Sequence, residues 1–511
     1  MKVLTAAQMR DIDRRTIDGG APGIVLMENA ALRVVETLAS RFSPLSKHRI
    51  VVLCGKGNNG GDGLAIARQL LMRFTTPRSL SVVLAADPRD LVGDARLNLD
   101  MLTSFGIPIH RAIEPEMRRA TLVIDALLGT GLEGPAHGEP LEFINEINAG
   151  FPDARVIAVD IPSGMPSDTA DMEGVCARAD LTVTFTAPKL AMALPPNCDR
   201  VGELIVAPVG SPPAFMEQDP RLYLSLVESS WFWPLFEPRA RGAHKGDFGH
   251  VLIIGGSVGK SGAAAMSGLA ALRSGAGLVT VASAESAIAS IAAHAPELMS
   301  EPLAETVVGS ISNAAAPRLD VLAAGKSVVA IGPGLGSHPE TVTFAQTQWE
   351  RSALPMIVDA DGINALAGTY LHPGGPRVLT PHPGEMARFC GLTVPQVQAD
   401  RIGVARSIAL DREITLVLKG QRTVIAFPDG RVWINPTGTP ALASGGSGDI
   451  LTGFIAGLLA QFPEDADYAI AAAVWLHGRA GEMGAAEVGE KTLLATDLLR
   501  YLPAAMKELT R

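Results

Sequence analysis

Cysteine is scarce in this chain: four residues in 511, Cys54, Cys176, Cys198 and Cys390, lie far apart, with no C-x-x-C pair and no neighbouring histidine cluster. That spacing excludes a disulfide framework and a zinc site and reads as reduced thiols in a core. Basic charge is also short. Lys+Arg 43 against Asp+Glu 53 leaves a net charge of -10, and no basic block is present to neutralise a row of phosphates, which argues against nucleic acid as a partner. No apolar run approaches about 18 residues, the length a membrane-spanning helix needs. The opening segment MKVLTAAQMRDIDRR carries Asp11 and Asp13 where a signal peptide requires an apolar stretch. A soluble, cytoplasmic protein without a membrane partner is expected. Short repeats and low-complexity tracts are missing as well. What is there is the composition of a folding chain, 47% hydrophobic and 19% charged, long enough for more than one domain. Gly 53 and Pro 36 exceed average usage and suggest tight turns or ligand loops lined by backbone.

Thr5-x-x-Gln8 is a capping-box pattern, followed by Met9, Ile12 and Ile17 at helical spacing, so the chain is read as opening on a helix. Short β-branched runs then recur at Ile50–Leu53, Ser81–Leu84, Leu122–Ile124, Val156–Val159, Leu181–Phe185 and Leu204–Val206, each gap having room for a helix. The rhythm breaks over Gly210 to Gly242 and restarts at Val251–Ile254, Leu278–Val281, Val328–Ile331, Met356–Val358, Val378–Thr380, Ile414–Leu418 and Thr423–Ala426. This predicts an α/β protein of two three-layer αβα domains, each a mostly parallel sheet with helices on both faces. The boundaries are read as 1–220 and 241–511, with residues 221–240 as a linker. An exposed Ala-rich helix would serve a homo-oligomer interface, although Ala-rich helices also pack internally.

In the first half, VVLCGKGNNGGDGLAIARQL runs from a strand through a loop with four glycines and two asparagines into a helix expected to start near Asp62. Strand, glycine loop, helix is a phosphate-cradle geometry, although the spacing is not that of G-x-G-x-x-G. Two further strands end similarly, for Asp125 precedes a Gly-rich loop in TLVIDALLGTGLEGP, and RVIAVDIPSG ends on Asp160 and Ser163. Ligands of open parallel sheets sit at the carboxyl ends of the strands, so Asn58, Asn59, Asp125, Asp160 and Ser163 are expected to converge. Their amide, carboxylate and hydroxyl oxygens suit a hard cation. Each carboxylate taken alone reads equally well as a helix cap.

GKGNNGGDGLAIAR, DALLGTGLEGP and DIPSG resemble the NAD(P)HX epimerase family, whose Rossmann-like domain acts on hydrated nicotinamide cofactors. The resemblance covers roughly residues 1 to 220. It implies that Asn59, Asp125 and Ser163 help bind K+, and that the hydrated cofactor meets Asn58, Asn59, Gly60, Gly61, Asp62, Gly129, Thr130, Gly131, Leu132, Glu133, Gly134, Pro135 and Asp160. The reaction inverts C6, a carbon bearing both a hydroxyl and the ring nitrogen. The nitrogen lone pair assists C–O cleavage, and Asp160 is the expected acid/base.

In the second half, VLIIGGSVGKSG falls one residue short of the P-loop pattern G-x-x-x-x-G-K-[ST], so Gly255, Gly256 and Gly259 read as a turn that approaches a ligand by backbone alone. ASGGSGDILTGFIAGLLA is the stronger signal. Its Gly run at a helix N-terminus makes an anion hole for transferring phosphoryl oxygens, and Asp449 in the first turn is placed to take a proton from a hydroxyl nucleophile. His244 and His477 are read as packing or surface positions.

HKGDFG, GAAAMSGLAALRSGAGLV, GPGLG, DADGINAL, TPHPGE, LKGQRTVI and GGSGD occur in the order found in ribokinase-like small-molecule kinases and resemble, within them, the NAD(P)HX dehydratases. This implies that Lys419, Gly420, Gln421, Arg422, Thr423 and Gly448 contact an adenine nucleotide, while Ala263, Gly336, His382 and Asp449 face the hydrated nicotinamide. ADP is the expected phosphoryl donor, with Mg2+, since fused bacterial members of the family resemble ADP users. The expected function is therefore bifunctional cofactor repair: an isomerase that equilibrates the R and S hydrates of NADH and NADPH, and a lyase that dehydrates the S form. The alternatives are a ribokinase-like vitamin or sugar kinase fused to a sensing module, and an interaction module like the related domain of mRNA-decapping scaffolds.

Overall fold

The computed structural model of the chain describes residues 1–74 and 79–510, and these form two compact units, Met1–Leu222 and a second beginning at Tyr223. Seven strands make the first sheet: β1 (Arg49–Cys54), β2 (Ser79–Leu84), β3 (Ile109–His110), β4 (Leu122–Ala126), β5 (Arg155–Val159), β6 (Leu181–Phe185) and β7 (Glu203–Ala207). Their order is β3-β2-β1-β4-β5-β6-β7, every neighbour parallel. Alternation along β1 explains the layers. Ile50, Val52 and Cys54 pack with Val34 and Leu38 of α2 (Gly23–Arg41) and Leu64 and Leu70 of α3 (Asn58–Arg73). Val51 and Leu53 face the other way, onto Phe143, Ile144 and Ile147 of the helix Gly138–Ala149. The sheet order reverses at β1, which puts a crevice outside the carboxyl ends of β1 and β4.

The opening helix, α1 (Ala6–Asp18), carries the expected capping box: Gln8 N donates to Thr5 Oγ1 at 3.2 Å and Thr5 N to Gln8 Oε1 at 2.9 Å. Leu4, just before it, forms a parallel bridge with Lys189, its N donating to Pro188 O at 3.0 Å while Leu190 N donates to Leu4 O at 3.0 Å. Met9, Ile12 and Thr16 are buried.

The second unit is a ten-stranded sheet: β8 (Leu224–Leu226), β9 (His250–Ile254), β10 (Leu278–Ala284), β11 (Met299–Leu303), β12 (Val328–Ile331), β13 (Met356–Val358), β14 (Arg377–Leu379), β15 (Thr415–Leu418), β16 (Val424–Ala426) and β17 (Val432–Ile434). The order is β11-β10-β9-β12-β13-β14-β15-β16-β17-β8, parallel except for the antiparallel pairs β15–β16 and β16–β17. Val251 and Ile253 pack with Ile450 and Phe454 of the helix Ser447–Gln461, and Leu252 and Ile254 between them are buried too. Both faces are covered, as an almost wholly parallel sheet requires.

Three expectations are corrected. Residues 221–240 are not a linker: β8 pairs in parallel with β17, and Phe232, Leu235 and Phe236 are buried in the second core. Their lack of periodicity reflects a 3-10 segment, Ser229–Phe236, which has neither a helix's nor a strand's repeat. The Ala-rich helix Ser261–Arg273 is not an exposed interface, since Ala264, Ala265, Ala270 and Ala271 are buried. Ser267 Oγ on the same helix donates to Asp449 O at 2.9 Å, because small side chains let the two helices approach closely. And α3 begins at Asn58, not near Asp62. Among the described residues no helix is long and apolar enough to cross a membrane.

Candidate active sites

A cavity of about 930 Å³ opens in the first unit and is lined by loops at the carboxyl ends of its strands. Asn58 and Asn59 occupy the first turn of α3. The helix can start so early because Gly60 lies against the preceding turn: a Cβ there would sit 1.8 Å from Gly55 O. Asn58, Asn59, Asp62, Gly129, Thr130, Gly131, Leu132, Glu133 and Asp160 line the cavity; Gly60 and Gly61 are buried behind it, and Gly134 and Pro135 are not part of its wall.

Asp125 and Ser163 lie beneath this wall, both fully buried. Asp125 accepts from Ser163 N at 2.8 Å and from Ser163 Oγ, while Ser163 Oγ accepts from Leu128 N at 2.9 Å. Asn59 Nδ2 donates to Leu128 O at 3.0 Å, and its Oδ1 is buried without a partner. Leu128 thus gathers Asn59, Asp125 and Ser163. Burial pushes the Asp125 carboxyl up to about 6, opposed by the hydrogen bonds from Ser163. A buried carboxylate, a hydroxyl and an orphaned amide oxygen are hard donors of the kind a cation completes.

Asp160 sits at φ 66, a strained conformation for an aspartate. Its Oδ1 accepts from Lys189 Nζ, from Thr184 Oγ1 at 3.1 Å and from Phe185 N at 3.3 Å. Lys189 is 1% exposed. Sequence reasoning missed this lysine, although it is alone in the apolar run TVTFTAPKLAMAL, where only a paired ammonium is tolerated. It also missed Asp13, which lines the cavity. The signal was its place four residues after Met9 and three before Thr16, on the inward face of α1.

In the second unit, Asp449 lies in the first turn of the helix Ser447–Gln461, whose leading amides have no acceptor within the helix. Lys419, at the end of β15, gives its ammonium to Asp359 Oδ1 at 2.8 Å and lies 3.7 Å from Glu385 Oε2. Thr452 Oγ1 holds Asp359 Oδ2 at 2.8 Å. Burial would lower the Lys419 pKa, but Asp359 and Glu385 outweigh it and the value rises. Burial, then the Asp359 charge, lifts Asp449 to about 7, with Lys419 opposing. A Cβ at Gly448 would be 3.3 Å from Lys419 Nζ, so the lysine faces the helix N-terminus and two anion-attracting elements meet there.

The other expected residues surround this point. His382 caps the helix Pro383–Cys390, its Nδ1 accepting from Gly384 N at 3.0 Å, and His382 N donates to Glu385 Oε2 at 2.8 Å. Asp361 Oδ2 accepts from Gly336 N at 2.9 Å and Lys260 Nζ at 3.1 Å. A Cβ at Gly334 would meet Ala263 Cβ at 3.1 Å, which ties Ala263 to the same loop. The turn after β9 is held against the loop after β12, where Gly256 N donates to Pro333 O and Ser257 Oγ to Gly334 O, both at 2.8 Å. Residues 420–423 form the β15–β16 turn, braced by Arg401, which donates to the carbonyls of Gln421 and, at 3.2 Å, Leu418. Of the two readings for His477, packing or surface, the structure has the first: burial pushes its pKa down to about 4, and Nε2 donates to Ser447 O at 2.9 Å at the start of the helix that bears Asp449.

The fold and these two sites define a class: a Rossmann-like unit with a carboxylate–lysine pair in its crevice, joined in one chain to a ribokinase-like unit with an acid beneath a glycine loop. Comparison with known proteins narrows it. The model for the YjeF-related protein N-terminus matches residues 23–191, and that for NAD(P)H-hydrate dehydratase matches 251–504. The bifunctional NAD(P)H-hydrate repair enzyme Nnr of Moorella thermoacetica is 42% identical over 100% of this chain and 97% of its own length; that of Coxiella burnetii is 37% identical over 97% of each. Among solved structures, the ADP/ATP-dependent NAD(P)H-hydrate dehydratase of Bacillus subtilis, co-crystallised with ATP/Mg2+, is 37% identical with TM-score 0.50, covering 56% of this chain and 98% of that one. The chain belongs to the family of bifunctional NAD(P)H-hydrate repair enzymes.

Proposed function

We propose that the first unit interconverts the R and S hydrates of NADH and NADPH, and that the second dehydrates the S form at the expense of ADP, giving AMP and phosphate. One observation carries the second half of this reading: Asp449, with a pKa of about 7, stands at a helix N-terminus beside Lys419. Hydroxide is a poor leaving group and phosphate a good one. Asp449 takes the proton of the C6 hydroxyl, whose oxygen attacks the terminal phosphorus of the nucleotide. The amides around Gly448 and the Lys419 ammonium meet the charge that develops on the transferred group. Nitrogen push then expels phosphate from C6, and loss of a C5 proton restores the dihydropyridine. His382, Gly336 and Ala263 hold the nicotinamide; Lys419 to Thr423 and Gly448 hold the nucleotide. Mg2+ would be borne chiefly by the phosphates, since no cluster of three or more His, Cys, Asp or Glu fit for a metal occurs among the described residues.

In the first unit, Asn59 Oδ1, Asp125 and Ser163 are the donors for K+, which would balance the buried carboxylate and fix the 127–131 loop beside the substrate. Asp160, paired with Lys189, exchanges protons with the substrate. The cytoplasm, where Cys54, Cys176, Cys198 and Cys390 stay reduced, is the compartment this reading carries, and self-association is to be measured by light scattering. The test is to give the purified chain racemic hydrate, add or omit ADP, ATP and potassium, and follow recovery of the reduced cofactor's absorbance. Full recovery with nucleotide, and half without epimerisation, is expected; a stable phosphorylated product would favour the kinase alternative and overturn the reading.

A further inference from the structure

Of the carboxyl groups that line the cavity of the first unit, three act on one another and feel the charge of Lys189: Asp13 from α1, Asp62 from α3 and Asp160 after β5. An ammonium group has three hydrogens to give. Those of Lys189 are directed to Asp160 Oδ1, to Thr184 Oγ1 at 2.8 Å and to Phe185 O at 3.4 Å, so none remains. The ion pair of the site is therefore Lys189 with Asp160. Asp13 and Asp62 line the same space with no hydrogen bond or ion pair of their own among the described residues. Lys189, already paired with Asp160, cannot also balance Asp13 and Asp62, which favours keeping a proton on at least one of them. Burial pushes Asp13 up to about 6, Lys189 opposing and Asp160 adding to it. Burial, then the Asp160 and Asp13 charges, push Asp62 well above the carboxylate range.

The helix that carries Asp13 lies outside residues 23–191, the part matched by the N-terminal family model. It is nevertheless tied to the site, because the bridge from Leu4 to Lys189 runs directly into it. We propose that Asp13 is the general acid of the epimerase site, with Asp160 as its base, so that α1 is part of the catalytic machinery. This rests on the epimerase reading of the first unit. The proton of Asp13 passes to the C6 hydroxyl oxygen, the C6–O bond breaks with its electron pair leaving on water, and the ring-nitrogen lone pair forms a C6=N bond. Solvent water then adds to the other face of C6; its oxygen forms the new C6–O bond, the C=N pair returns to nitrogen, and the released proton goes to Asp160. Exchange with solvent resets both carboxyl groups.

The experiment uses the full chain and the pure R hydrate without nucleotide, following formation of the S hydrate across pH with the uncatalysed rate subtracted. The charged groups that act on Asp13 are Lys189 and Asp160, and Asp13 in turn acts on Asp62, while Arg10 of α1 and Lys56 line the same cavity. Wild-type turnover is expected to fall as pH rises through about 6, because the acid must hold its proton. Asp13→Asn should lower kcat by roughly 100-fold or more with KM nearly unchanged, the size of a general-acid effect. Asp13→Glu should regain much of the rate and keep the descending limb, and it decides the matter if Asp13→Asn fails to fold. Dehydration of the S hydrate with nucleotide should be untouched in every variant. Retention of most of the wild-type kcat by Asp13→Asn, a defect in KM alone, or a descending limb that persists without this carboxyl overturns the proposal. A wild-type chain that does not epimerise would sink the underlying reading instead.

Discussion

At the scale of single residues, the two units use burial to opposite ends. Asp449 is lifted to about 7, and a general base works only when ionised, so dehydratase kcat/KM should rise with pH through that value and level off above it. Asp449→Ala should abolish dehydration while epimerisation continues; rate–pH profiles of both steps on one preparation check this. Asp125, lifted to about 6 by burial, has hydrogen-bond donors but no cation partner among the described residues. If K+ is that partner, potassium should raise the Tm of the wild-type chain more than sodium at equal ionic strength. Asp125→Asn should remove the difference, which thermal unfolding in the two salts reads directly. Asp125, Asp160, Ser163 and Asp449 were legible in the sequence because each stands at a strand end or a helix start beside glycines. Lys189 and Asp13 were not, since they influence one another across most of the first unit's sequence and no local pattern encodes that proximity.

At the scale of elements, periodicity identified the central strands well, because strands covered on both faces must be continuous apolar runs. It missed three of the four edge strands, β3, β8 and β11, while finding the fourth, β7, at Leu204–Val206. β11 reads MSEPL and β3 is two residues long, and a half-exposed edge has no such requirement. The segment Ser229–Phe236 failed for a different reason: its apolar residues follow a 3-10 path across the second core. Phe232 is fully buried there, so Phe232→Ala should destabilise the second unit by about 3 to 5 kcal/mol, measured by denaturant unfolding followed through the dehydratase activity. A linker residue would show no such loss.

At the scale of the whole molecule, each unit has its own sheet, its own core and its own site. Two chemistries with independent machinery should complement each other in solution. Asp160→Asn and Asp449→Ala chains, each unable to restore racemic hydrate completely, should do so when mixed with ADP and potassium, as absorbance recovery will show. The sequence by itself determined the class of both units, the order of their central strands' segments and the loops that bear chemistry, because strand–glycine–helix turns and two-sided burial are local demands on neighbouring residues. Only the tertiary structure decided which charges face one another: that Lys189 serves Asp160, that Lys419 serves Asp359, that α1 closes on the cavity and that the supposed linker is core. The reason is physical, for electrostatic pairing and desolvation depend on distance through space, and parallel crossovers bring together residues that the chain keeps far apart.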